Sequence, residues 1–186
     1  MKKLAYRNEP RKPRSPKPLS QTQLSDLALF YVSRFATTRA KLMRYLDRKL
    51  FERGWAGDAA PDVESIAERL VSLNYIDDAV FAETKARGLA RRGYGNRRVE
   101  QSLRADGVSE TDRASAIDQS GPSKIEAALR YAERRRWGPY ASEQQNDPAA
   151  RQKMLAAFMR AGHDFEMARM VIALAPGANV RDLIED

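Results

Sequence analysis

A spaced pattern that occurs three times constrains this chain more than any other feature. Leu46-x3-Leu50-x3-Gly54, Val99-x3-Leu103-x3-Gly107 and Met154-x3-Phe158-x3-Gly162 stand 53 and then 55 residues apart. Each pattern sets two apolar side chains one helical turn apart on a shared face. Each then places a glycine, the residue suited to the left-handed backbone that ends a helix, and another helical stretch follows. One such unit cannot bury its apolar stripe alone, whereas stacked neighbours share a continuous core. The spacing therefore predicts tandem helical units and an elongated, curved molecule with a long contact surface.

From Ser20 onward the 3.6-residue period recurs and the alternation of strands does not, which predicts an all-α fold. Leu24, Leu27, Ala28, Tyr31 and Phe35 stripe a first helix. Thr37 or Thr38 caps a second, with Leu42, Tyr45, Leu46 and Leu50 inside and Gly54 at its end. A third begins at Pro61 and runs through Val63, Ile66, Leu70 and Leu73, since proline favours the first helical position. Asp77-Asp78 caps a fourth, Val99 and Leu103 mark a fifth, and Ser109 opens a sixth. Ser123-Lys124-Ile125-Glu126 is a capping box for a seventh. Asp147-Pro148 opens an eighth, with Met154, Leu155 and Phe158, and Asp164 a ninth, with Phe165, Ala168, Val171 and Ile172 before Pro176-Gly177. These sort into three-helix units at 20–75, 76–120 and 121–175, followed by a short tail at 176–186.

Charge is unevenly spread. The 186 residues carry a formal +8, yet seven cations against Glu9 give residues 1–18 a net +6 and leave only +2 for the rest. With Pro10, Pro13, Pro16 and Pro18 and few large apolar side chains, that segment reads as a disordered basic arm. No apolar stretch follows Met1-Lys2-Lys3, and no run reaches the roughly 18 apolar residues of a membrane span, so the expected location is the cytoplasm. A second concentration lies in the body. Lys85, Arg87, Arg91, Arg92, Arg97, Arg98 and Arg104 stand against Glu100 alone, again a net +6. At its centre, Arg91-Arg92-Gly93-Tyr94-Gly95-Asn96-Arg97-Arg98 sets two arginine pairs about a Gly-Tyr-Gly link. Arginine offers planar donor forks to carboxylates and phosphates, and an exposed tyrosine a stacking face. The alternative is a solvated arginine face with Tyr94 packed on the core. A further run, Arg134-Arg135-Arg136-Trp137, is accounted for by cations at a helix end with Trp137 in the core.

Enzyme chemistry finds no foothold. There is no cysteine, and the one histidine, His163, reads as a capping or surface residue at a helix end. No HExxH, Walker-type loop, GxSxG elbow or Glu-x-x-His pair occurs, and Gly93-Tyr94-Gly95 lacks the third glycine and preceding strand of a dinucleotide fingerprint. Asp77-Asp78 reads as a helix cap rather than a metal site. No catalytic residue, metal site or cofactor is therefore expected. The residues instead describe a protein that works by binding, with Lys85, Arg87, Arg91, Arg92, Tyr94, Arg97, Arg98 and Arg104 as candidate contacts to a partner or nucleic acid.

Leu73-Asn74-Tyr75-Ile76-Asp77-Asp78-x2-Phe81-Ala82, then Arg91-Arg92-Gly93-Tyr94-Gly95-x-Arg97-Arg98-Val99 and Leu103-x3-Gly107-Val108, resembles the central signature of the RecX regulatory proteins. Thr38-Arg39-Ala40-Lys41-Leu42 is similar to an earlier family element, and Arg151-Gln152-Lys153 with Phe158-x3-Gly162 to its C-terminal repeat. The likeness spans about residues 25–175. It departs at Asn74, commonly glycine in the family, at Ala79-Val80, commonly charged, and at Asn96, often proline. The resemblance implies three tandem three-helix repeats and a monomer that binds in the groove of the RecA–DNA filament. There it would restrain ATP hydrolysis, strand exchange and LexA co-cleavage. A direct DNA-binding protein with helix-turn-helix-like units is the alternative, against which the body's small net charge counts.

Overall fold

The computed structural model describes residues 17–185, so the basic arm expected at 1–18 lies outside the described residues except for Lys17 and Pro18. The chain is all-α. Its helices are α1 (Gln21–Arg34), α2 (Arg39–Arg53), α3 (Val63–Ser72), α4 (Asp78–Arg91), α5 (Asn96–Ala105), α6 (Glu110–Asp118), α7 (Lys124–Arg135), α8 (Pro148–Arg160), α9 (Phe165–Ala173) and α10 (Asp182–Glu185). A 3-10 turn, Gly138–Tyr140, links α7 to α8. The sequence patterns anticipated neither that turn nor α10, each too short to show a period.

Most helices start where a short polar side chain can take up an orphan N–H. Thr38, Asp62, Asp77, Ser109, Ser123 and Asp147 each accept from the first turn of the helix they open. Asp62, not Pro61, therefore sets the start of α3. Asn74 follows α3 at φ 56°, and its short polar side chain tolerates that left-handed backbone.

Three buried clusters result. Leu24, Leu42, Leu46, Ile66 and Leu70 pack α1–α3 together. Ala82, Leu89, Val99, Leu103 and Ala116 unite α4–α6. Leu129, Tyr131, Phe158, Val171 and Ile172 unite α7–α9. Each buried leucine or phenylalanine contributes about 1.5–3 kcal/mol by leaving water. Two residues read as core do not belong to it. Phe35 and Leu73 are both 55% exposed, because each falls on the residue that ends its helix rather than on the packed stripe.

Successive units are joined by one repeated device. The C-cap carbonyl of the second helix in one unit accepts a hydrogen bond from the N-cap residue of the second helix in the unit before. At the first joint, the Thr38 hydroxyl donates to the Asp106 carbonyl. At the second, the Gly95 N–H donates to the Ala161 carbonyl at 2.9 Å. Side chains reinforce the first joint. Asp106 pairs with Lys85 and, at 3.5 Å, with Lys41, while Asp78 accepts from the Arg39 N–H at 2.9 Å. Burial pushes the Asp78 carboxyl above its usual value, against the opposing effect of that bond.

Candidate partner-binding groove

The second joint is built almost wholly from backbone. α4 ends with Tyr94 N–H on the Leu89 carbonyl, and α5 begins at once from Gly95, which has no side chain to cap with. Gly95 N–H instead reaches Ala161, and Arg97 N–H reaches the Gly162 carbonyl at 3.3 Å. A Cβ on Gly95 would be driven into the Gly162 carbonyl, and one on Gly162 into the Arg98 N–H. Gly162 sits at φ 92°, where side chains are strained in any case. These two positions need glycine because two main chains touch there.

His163 seals the joint from behind. It is 3% exposed, its Nε2 lies 2.9 Å from the Gly93 carbonyl, and Tyr131 and Phe158 pack on its ring. The expectation of a capping or surface histidine is therefore corrected, since the helix end it follows is itself buried between units. Burial pushes its imidazole below the usual range, opposed by the Gly93 bond and by Asp164.

On the outer side, the joint opens a groove of about 760 Å³. α5 contributes Arg97, Arg98 and Gln101, the end of α7 contributes Arg135, and α8 contributes Ala157 and Arg160. Tyr94 and Tyr131 form part of the floor. The lining holds four arginines and no acidic side chain. Arg97 is paired at 3.0 Å with Asp164, which lies outside the groove. Arg135 lies over the rings of Tyr131 and Trp137 at 5.5 and 5.6 Å. Arg98 and Arg160 are exposed, and neither has an acidic partner among the described residues. A neighbouring hollow of about 610 Å³ shares Arg135 but includes Glu143.

The eight residues singled out in the sequence scatter relative to this groove. Tyr94, Arg97 and Arg98 line it. Arg104 is exposed one turn beyond Gln101 on α5. Arg91 and Arg92 are exposed at the end of α4, where Arg92 donates to the Gly88 carbonyl and lies 5.9 Å from the Tyr94 ring. Arg87 pairs along α4 with Glu83 at 3.5 Å. Lys85 is bound to Asp106 and to the Ser102 carbonyl at 3.3 Å, so it holds the fold. Tyr94 is half-buried and packs against both the second and third clusters. Arg135 and Arg160 escaped the sequence reading. Arg135 was seen only as part of a helix-end run. Arg160 carries a local signal, two residues before the third repeated glycine, that points to the groove only once the joint is known.

Residues 77–117 match the model for the second three-helix domain of RecX. The regulatory protein RecX of Myxococcus xanthus is 33% identical over 89% of this chain and 92% of its own length. The chain belongs to the RecX family. RecX of Agrobacterium fabrum is 27% identical over 86% of each chain. A solved structure described as regulatory protein RecX superposes with a TM-score of 0.61 at 22% identity, over 81% of this chain and 70% of the other. RecX from Lactobacillus salivarius superposes with a TM-score of 0.56 at 18% identity, over 82% and 94%. These two share the fold. RecX membership makes the chain a regulatory protein, and no helix among its described residues is long and apolar enough to cross a membrane.

Proposed function

We propose that this RecX-family chain regulates the RecA recombinase by binding the RecA–DNA filament, restraining its ATPase, strand exchange and co-protease activity. The observation that carries the reading is the likeness to the Myxococcus xanthus regulatory protein RecX over nearly its whole length. The function requires binding rather than chemistry, so it assigns no catalytic residue and no cofactor, and it places a monomer in the cytoplasm with RecA. The contact would run across the exposed arginines at the second joint, Arg91, Arg92, Arg97 and Arg98, with Tyr94 beneath them. Stacked units suit such a partner, because a tandem array presents a long surface to a long assembly.

The test is direct. Purified protein is titrated into RecA on single-stranded DNA, and ATP hydrolysis and co-sedimentation are followed together. The expected result is co-sedimentation with a fall in hydrolysis at or below one protein per RecA protomer. Unchanged hydrolysis at large excess, with the protein folded by circular dichroism, overturns the inhibitor assignment.

A further inference from the structure

We infer that the hollow at the end of α7 binds a small organic monocarboxylate. Arg135 and Arg136 hold its head, and its apolar body rests on Met154, Ile172 and Leu174. The site is separate from the proposed filament contact except for Arg135, which borders both hollows. Arg136 is the residue that gives it away. Asn74 and Arg136 are the two non-glycine residues with positive φ among the described residues, and arginine lacks the short polar side chain that eases this backbone for asparagine. Glycine would take φ 55° and ψ 50° without strain and would end α7 equally well. A cation for the helix end is already supplied by Arg134 and Arg135. The Arg136 side chain has no hydrogen bond or ion pair among the described residues, so it does not hold the fold. Backbone strain kept for a side chain the fold does not use points to a ligand.

The hollow around Arg136 is fixed in shape and of ligand size. Its volume of about 610 Å³ falls within the range of about 300–1,000 Å³ common to small-molecule sites. One wall is the turn Gly138–Tyr140, which is pinned twice. A Cβ on Gly138 would run into the Val171 carbonyl of α9, and the Gly177 N–H donates to the Pro139 carbonyl at 2.8 Å. Arg135 is steadied over the rings of Tyr131 and Trp137, while its in-plane N–H donors remain available to a carboxylate. The Trp137 indole N–H and the Tyr140 hydroxyl have no partner among the described residues, and both residues line the hollow. Burial, and then Glu133, push the Tyr140 hydroxyl above its usual range, so it stays a protonated donor.

Charge and shape select the ligand. Two guanidinium groups against Glu143 leave the lining a net +1, which matches one negative charge. A phosphate dianion or a polyanion would bring a second charge toward Glu143, and repulsion opposes that. The rest of the polar rim, Ser142, Gln144 and Gln145, is neutral and leaves this balance unchanged. An apolar part completes the lining, with Ile172 buried and Met154 and Leu174 half-buried. The Trp137 ring is packed by Tyr131 and Phe158 as well as Arg135, so it offers no open stacking face. A ring or short chain therefore lies on the aliphatic side chains, and its burial adds to what the head contributes.

The experiment follows the Trp137 indole N–H by nitrogen–proton NMR in the full chain, with W55F used only to tell the two indole signals apart. 2-Naphthoate, octanoate, acetate, neutral 2-naphthamide and 2-naphthyl phosphate are titrated separately at neutral pH. 2-Naphthoate and octanoate should shift the signal saturably, with dissociation constants below about 1 mM. Acetate lacks the body and 2-naphthamide the charge, and each should bind at least about tenfold more weakly than 2-naphthoate. 2-Naphthyl phosphate should bind no more tightly than 2-naphthoate. R136G should weaken 2-naphthoate at least about tenfold while thermal stability holds or rises, since glycine suits that backbone. A lost affinity in R136G is thereby kept apart from misfolding. No saturable shift with either long carboxylate overturns the inference, as does an amide that binds as tightly as its acid. R136G with unchanged affinity overturns it too, and a clear loss of stability in R136G removes its premise by showing that the side chain holds the fold. Tighter binding of the phosphate would move the site to phosphate esters. A Trp55 signal that shifts in step with that of Trp137 would mean unspecific association, and either result refutes a carboxylate site.

Discussion

Adding one methyl group at Gly95 should cost far more than the same addition at Gly88. Gly95 has φ −76°, an ordinary value, so alanine is not strained in its backbone. The cost is contact, because the new Cβ would lie under 3.0 Å from the Gly162 carbonyl, a backbone atom that cannot rotate away. Relief requires the two units to separate, which loosens the bonds from Gly95 N–H to Ala161 and from Arg97 N–H to Gly162. At about 0.5–1.5 kcal/mol for each bond and about 1–3 kcal/mol for overpacking, G95A should lose roughly 2–6 kcal/mol. Gly88 lies inside α4 with no heavy atom within 4 Å of its would-be Cβ. G88A should therefore gain about 0.5–1 kcal/mol from alanine's helical preference. The assay is urea unfolding in a W55F background, so that Trp137 in the third cluster is the reporter. With an m value of about 2 kcal/mol per molar urea, the G95A midpoint should fall by roughly 1–3 M, while that of G88A rises slightly. A G95A midpoint at or above the parent's would refute the picture of two main chains locked at the joint.

Two further outcomes are expected. The His163 imidazole is pushed below its usual value near 6.5, so the unfolded chain takes up the proton first. The contribution to stability is whole above about pH 6.5 and is lost as pH falls from there toward the lowered folded value. H163Q keeps a donor for the Gly93 carbonyl without titrating, so its denaturation midpoint should decline less than wild type between pH 7 and 5; parallel declines would rule this out. Arg136 closes α7 at φ 55° and ψ 50°. R136G removes about 1–2 kcal/mol of left-handed strain and loses about 0.5–1 kcal/mol to glycine's freedom, so thermal unfolding should show a small net gain rather than a loss.

Much of the fold was legible because its signals are local. Thr38, Asp77, Ser109, Ser123 and Asp147 announce helix starts through bonds to residues two or three positions on. The repeated glycines announce helix ends in the same way, and all three have positive φ. What escaped depends on neighbours distant in sequence. Periodicity could not tell that Phe35 and Leu73 sit past the packed stripe, nor that Lys85 meets Asp106 across 21 residues. His163 looked terminal along the chain and is buried because Gly93, 70 residues earlier, closes over it. The groove shows the same limit. Arg97 and Arg98 were conspicuous as a pair, while Arg135 and Arg160 join them only through the packing of one unit on the next.

The groups that make the two joints are employed differently elsewhere in the array. At the end of α2, the C-cap carbonyl of Gly54 accepts from the Leu19 N–H at 2.9 Å, so it is met within its own cluster. At the start of α8, the N-cap Asp147 gives its N–H to the Gln145 side chain at 3.0 Å, its carboxylate accepts from Ala149 and Ala150, and Pro148 after it has no N–H. The same helix-end groups thus hold a neighbouring unit at the joints and fasten local chain at these two positions, one vocabulary with two uses.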